Sequence, residues 1–346
     1  MAVDLTFLQK WLKGYDGPEV SIMEVCGSHT AAISKLGIPS LLSPQIHLIS
    51  GPGCPVCVTP TAYIDRLIEL SLTPHTCVCT FGDLIRVPGS EGSLSLARGA
   101  GARVQMVYGP MDVLKWAAKE PETTFVFAAV GFETTAPAYA LLMQRLVEEK
   151  IHNVKLLTAM KTMPAVIDAL CCSGAKIDAF LAPGHVSVVT GSDCFLPLAE
   201  RYQMPFVVAG FQGVELLAAI YAAVRSVGQG VVLNLYPSVV RPQGNPEAQA
   251  LVERYFAPQT AVWRGLGAIP NSGLVLRPAF APWDAGSATL WEDRGNPACC
   301  CGKVLAGLLP PNQCPLFGKG CTPEHPQGAC MVSLEGSCYQ YWSNGR

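Results

Sequence analysis

The chain has 346 residues, 24 Lys and Arg against 26 Asp and Glu, and a net charge of −2. Half of it is hydrophobic and only 14% is charged, well under the roughly one quarter usual in soluble domains. A chain this apolar is not disordered, and without a basic excess it suits neither nucleic acid nor an anionic membrane.

Its apolar stretches, such as residues 125–132, have the length of strands, far short of the roughly 20 residues of a membrane span. Asp4, Lys10, Lys13 and Asp16 interrupt the N-terminal apolar residues, so no signal-peptide core forms and a cytoplasmic protein is expected. Structural disulfides are rare in that compartment, so the fifteen cysteines call for metal or redox chemistry. Five lie between Cys26 and Cys79, three between Cys171 and Cys194, and seven between Cys299 and Cys338.

A short apolar strand over 20–25 runs into Cys26-Gly27-Ser28-His29. A second strand, 46–50, leads to Cys54-Pro55-Val56-Cys57 and a helix over 61–71. Strands follow at 76–80, 104–108, 124–130, 155–158, 179–181 and 205–209, with helices over 111–119, 136–150 and 164–172. Such alternation implies parallel sheets covered on both faces, which accounts for the low charge.

The expected fold class is α/β, with two similar Rossmann-like domains over 1–120 and 121–235 and a small cysteine-rich domain over 236–346. Pro52-Gly53-Cys54 and Pro183-Gly184-His185 echo each other, each just past a strand end, where open α/β sheets bind ligands. Two similar domains facing one cleft would explain the echo, and a chance match of a handful of residues is the alternative. Nucleotide motifs are absent: there is no phosphate-binding Gly-x4-Gly-Lys, and Gly99-Ala-Gly-Ala-Arg-Val lacks the third glycine of the dinucleotide fingerprint.

Three groups of residues carry candidate chemistry. Cys26 and His29, with small residues between them, can act as a nucleophile and its base or as metal ligands, or stand as a buried thiol and a hydrogen-bonded imidazole. Cys54 and Cys57, before a helix, suit a reversible disulfide with a lowered thiol pKa, two ligands of a zinc site, or neither. Glu133 and His185 sit at strand ends, Glu133 either capping a helix or facing a cleft. Cys77, Cys79, Cys171, Cys172 and Cys194 read as small core residues. After Cys299, Cys300 and Cys301, the wide spacing of Cys314, Cys321, Cys330 and Cys338 favours a [4Fe–4S] cluster over zinc, which prefers paired knuckles.

Several motifs carry a resemblance. Met23-Glu-Val-Cys-Gly-Ser-His-Thr, Gly51-Pro-Gly-Cys-Pro-Val-Cys-Val, Gly131-Phe-Glu-Thr-Thr-Ala-Pro and Ala182-Pro-Gly-His-Val-Ser resemble successive motifs of the HypD family. So do Cys314-Pro-Leu-Phe-Gly, Cys321-Thr-Pro-Glu and Gly328-Ala-Cys-Met-Val-Ser-x-Glu-Gly-x-Cys.

The resemblance implies a scaffold for assembling the Fe(CN)2CO group of [NiFe]-hydrogenases. Its partners would be a small HypC-type chaperone and a HypE-type cyanide donor with HypF upstream; the hydrogenase large-subunit precursor is served indirectly. It implies Cys26 as the iron ligand and Cys54 with Cys57 as a redox pair. His29, Glu133 and His185 become proton carriers or donors to cyanide nitrogen. It further implies a [4Fe–4S] cluster on Cys314, Cys321, Cys330 and Cys338, with Cys299 and Cys301 as alternative ligands. The chain departs from the family motif Cys-Gly-Gly-His-Thr-His at Ser28 and at Ala31, which replaces the second imidazole. A cluster-driven thiol–disulfide oxidoreductase and a zinc-stapled scaffold are the alternative functions.

Overall fold

The structure is a computed structural model that describes residues 4–287 and 293–345. Among these residues no helix is long and apolar enough to cross a membrane. The described residues form eleven strands: β1 (Val20–Glu24), β2 (Ile46–Ser50), β3 (Thr76–Thr80), β4 (Val104–Met106), β5 (Thr124–Gly131), β6 (Val154–Lys161), β7 (Ala179–Pro183), β8 (Phe206–Ala209), β9 (Val232–Asn234), β10 (Phe256–Trp263) and β11 (Gly267–Leu276). The expected strands and helices recur within one to three residues at each end. One difference is β4, which stops at Met106 where residue 108 was expected, leaving Tyr108 90% exposed.

Two sheets form. The first has the order β2-β1-β7-β8-β9 and is wholly parallel. The second has the order β10-β11-β6-β5-β3-β4; its strands β6-β5-β3-β4 are parallel, and the β10–β11 hairpin adds antiparallel pairing along β6. The expectation of two α/β halves therefore holds in outline, with an antiparallel edge added to the second.

Sheet membership does not follow the expected sequential division. Residue 120 falls between β4 and β5, which share a sheet, and residue 235 separates β6 from its partner β11. Both Pro-Gly turns also belong to one sheet, at the ends of β2 and β7, so their echo does not mark a repeat of domains. Periodicity identifies strands but not neighbours, and parallel strands reach each other only through crossovers that leave no local trace.

One apolar cluster joins the facing surfaces of the two sheets, from Met23 and Phe180 to Val126 and Leu157. Separate clusters cover the outer faces, around Phe127 and Tyr139 on the second sheet and around Ile22 and Leu216 on the first. Each buried aromatic or branched side chain contributes about 1.5–3 kcal/mol, so the two sheets are held together by their core. Among the described residues after β11 the chain is built of turns, short 3-10 helices such as Pro278–Trp283, and two short α-helices, Cys301–Leu305 and Ser337–Ser343.

Candidate functional site

Strands from both sheets end at one cleft of about 270 Å3. Its walls come from Val25–Ser28 after β1, Thr80 and Phe81 after β3, Val130–Phe132 at the end of β5, and Pro183 and His185 at the end of β7. Gly53, Pro55 and Val56 close one side, and Glu335 enters from the C-terminal segment. The carboxyl ends of parallel strands thus converge on one opening, as the α/β pattern requires.

Cys26 lies on the cleft wall as the residue preceding helix Gly27–Lys35. The backbone N–H groups of Ser28 and His29 donate to its sulfur, yet burial dominates and pushes the thiol up to about 12. The free side chain is therefore a neutral thiol, and a metal ion must displace its proton to gain the thiolate. Gly53 allows the neighbouring loop to approach: a Cβ there would lie 2.3 Å from the Cys26 nitrogen. Two residues before it, Glu24 is 2% exposed, and burial raises its carboxyl to about 8. The Thr30 hydroxyl donates to Glu24 Oε1 at 2.6 Å, and the Cys26 N–H to Oε2 at 3.4 Å.

The His29 imidazole is hydrogen-bonded away from Cys26, so of the alternatives the buried thiol beside a hydrogen-bonded imidazole is the one found. Its Nε2 stands 3.3 Å from Ala209 O and 3.1 Å from Gly210 O. Carbonyls only accept, so Nε2 carries the proton and the buried Nδ1, which has no partner, holds the lone pair. Burial lowers the ring to about 4, so it is neutral. Phe211 anchors both histidines, with ring centroids 4.7 Å from His29 and 4.1 Å from the exposed His185.

Glu133 is not part of the cleft wall. Its Oε1 accepts the Met163 N–H at 2.7 Å, capping helix Met163–Cys171, and its Oε2 is buried without a partner. The capping reading of this residue holds, although the helix is not the one that follows it in sequence. Burial raises its carboxyl to about 7.

Sequence reasoning singled out none of Glu24, Phe211 or Glu335 as site residues, nor Asp83, which also lines the cleft. Glu335 accepts from the Ser28 hydroxyl at 2.7 Å, across 307 positions of chain. The available signals were the carboxylate two residues before Cys26 and the Glu inside the last cysteine motif.

Cys54 and Cys57 are joined in a disulfide, Cα–Cα 5.3 Å, both buried beside the cleft. Cys299, Cys301, Cys314, Cys321, Cys330 and Cys338 line a separate small cavity with Val304, Phe317, Gly328 and Met331. Cys301 and Cys330 touch, sulfur to sulfur 3.1 Å, and the Gln327 N–H donates to the Cys321 sulfur at 3.3 Å. Among the described residues no three His, Cys, Asp or Glu side chains are grouped as ligands of a single ion. Six thiols around an apolar cavity, with a backbone donor to sulfur, fit an iron–sulfur cluster, whose irons spread the ligands wider than one ion does. Of the cysteines read as core, Cys77 and Cys79 are buried, Cys171 and Cys194 half-buried, and Cys172 is exposed at the end of its helix.

A family model described as "HypD: Hydrogenase formation hypA family" matches residues 7–345. The Rhizobium leguminosarum bv. viciae protein named hydrogenase maturation factor HypD is 43% identical over 338 residues, 94% of this chain and 88% of that protein. Proteins of the same name are 42% identical in Azotobacter vinelandii, over 94% of this chain and 89% of theirs, and in Escherichia coli strain K12, over 92% and 88%.

Proposed function

The chain belongs to the HypD family of hydrogenase maturation factors, and on that premise we propose that its cleft holds iron while the ligands of the Fe(CN)2CO group are attached. Cys26 carries this reading: a buried thiol with two amide N–H groups turned to its sulfur, on the wall of a small cleft. Fe(II) bound there takes the thiolate and releases its proton, and the two amides offset the charge on sulfur. A thiolate of a HypC-type chaperone supplies a second ligand.

The cleft is just under the size of pockets for drug-sized molecules, which suits a metal with a few diatomic ligands and little water. In this reading His185, on the cleft wall, donates to a cyanide nitrogen, whereas Glu133 keeps a helix-capping role. The HypE-type partner, charged through HypF, brings cyanide, and the finished group passes toward the hydrogenase large-subunit precursor.

In the same reading the C-terminal thiols hold a [4Fe–4S] cluster, which when bound supplies electrons singly. Cys314, Cys321 and Cys338 are three of its ligands. Cys330, whose sulfur meets those of both Cys301 and Cys338 at the cavity, is the fourth, with Cys299 and Cys301 as the alternatives. The Cys54–Cys57 disulfide accepts two electrons and two protons to give two thiols.

Infrared spectroscopy of anaerobically purified protein tests the iron site. Cys26→Ala is expected to lose the cyanide bands and bound iron while the cluster's visible absorbance stays. Wild-type cyanide bands in that variant would sink the assignment. The disulfide also supports a second reading, a thiol–disulfide oxidoreductase without iron cargo, for which the isolated protein should turn over a disulfide substrate.

A further inference from the structure

The C-terminal segment holds the helix that begins after Cys26 at both of its ends. In the first turn the Ser28 hydroxyl donates to Glu335 Oε1 at 2.7 Å. In the last turn the Asn344 side-chain amide donates to the Ser34 hydroxyl at 3.1 Å. Between these points helix Gly27–Lys35 packs against helix Ser337–Ser343. Gly27 lets the surfaces meet: a Cβ there would stand 2.5 Å from the Glu335 Cβ and 2.8 Å from its Oε2. The Glu335 side chain therefore lies against bare backbone one residue past Cys26. Ser28 is one of the two positions at which the chain departs from its family motif, and the glycine usual there has no hydroxyl to donate.

The other end of this contact belongs to the thiol cavity. Glu335 lies on the loop between Cys330 and Cys338, both of which line that cavity. The loop is folded tightly onto Cys330. The Glu335 N–H donates to the Ser333 hydroxyl at 3.2 Å and the Gly336 N–H to Ser333 O at 2.9 Å, and a Cβ at Gly336 would stand 2.1 Å from Cys330 O. A short loop tied at both ends to one cluster is ordered when the cluster binds, because ligation supplies ordering free energy that a segment of turns lacks by itself. Ordering the loop also places the Glu335 side chain, and the Ser28 hydroxyl carries that placement to the Cys26 helix.

We propose that Ser28 is a positioning residue: its bond to Glu335 braces the Cys26 helix against the cysteine module, so that a cluster held by Cys330 and Cys338 stiffens the wall of the iron cleft. This rests on the cluster and iron readings given above. The brace transmits order rather than electrons, and by linkage a steadier helix steadies the loop in return.

Hydrogen exchange of the amides of residues 28–35 is measured in full-length protein with and without its cluster, for wild type, Ser28→Ala and Ser28→Thr. In wild type the cluster is expected to slow exchange roughly tenfold. Ser28→Ala is expected to lose most of that slowing, and Ser28→Thr, which keeps the hydroxyl, to retain it. An equal drop in protection with and without the cluster in Ser28→Ala would mean a local hydrogen bond only, and it overturns the proposal. Full slowing in Ser28→Ala, or none in cluster-loaded wild type, overturns it too. If Ser28→Ala takes no cluster, Ser28→Thr decides: retained slowing supports the brace and lost slowing overturns it. As a second readout, cluster-loaded Ser28→Ala is expected to release added 57Fe(II) several-fold faster than wild type, counted above a Cys26→Ala background. Wild-type release there, with iron held above that background, overturns the link to the cleft. If wild type and Cys26→Ala hold equal iron, the iron reading fails and hydrogen exchange still decides the brace. Wild type without acid-labile sulfide would sink the cluster reading and the brace with it.

Discussion

Burial sets the protonation of three side chains at the cleft. Cys26 and Glu24 are pushed upward and His29 downward, all toward their neutral forms. Glu133 allows the same effect to be measured away from the metal. Its carboxyl is raised from 4.5 to about 7, so the folded state binds a proton that the unfolded state has lost between those values. Stability contributed by the neutral carboxyl is then fully present below pH 4.5 and is lost as pH rises through 7. Glu133→Gln keeps an acceptor for the Met163 N–H and removes the ionisation. It is expected to match wild type near pH 4.5 and to exceed it above pH 7 by up to about 3 kcal/mol, measured by urea unfolding across pH. A constant difference across that range would show that burial of the charge is not the cause.

Elements position the thiols through close backbone contacts. The loop after β2 reaches Cys26 because Gly53 has no side chain, and the Gly27 N–H donates to Gly53 O at 2.9 Å. Gly53→Ala places a methyl carbon 2.3 Å from the Cys26 nitrogen, and backbone cannot yield as a flexible side chain does. A loss of about 1–3 kcal/mol in unfolding is expected, together with weaker iron retention, since the shift falls on the cleft wall itself. Wild-type stability together with wild-type iron content would mean that the loop has room to move. The sequence pattern reads this level well. The strands at 46–50, 76–80 and 124–130 and the turn at Gly53 follow from apolar runs and Pro-Gly punctuation, both of which act over a few residues. At Pro183-Gly184, by contrast, the strand passes straight into a helix, Gly184–Thr190, instead of a turn.

Across the whole molecule, segments far apart in sequence meet at two centres. Glu335 reaches the cleft through Ser28, and six cysteines from a forty-residue tail gather around one cavity. Which four of them hold the cluster is a question of tertiary packing, because the 3.1 Å contact of Cys301 with Cys330 is invisible in the spacing. Cys330→Ser is expected to lose cluster absorbance and acid-labile sulfide, and Cys299→Ser to retain most of both. The reverse pattern would put Cys299 in the ligand set in place of Cys330.

The residues alone settled that this is an α/β protein, and their motifs placed it beside the HypD family, because strand periodicity, turn residues and cysteine spacing are local properties. They did not settle that β10 and β11 complete the sheet begun by β3, that His29 turns to the Ala209 and Gly210 carbonyls rather than to Cys26, or that Glu133 caps a helix that begins thirty residues on. Those outcomes depend on which surfaces bury each other and which buried polar groups then find partners, and both are decided only when distant segments pack.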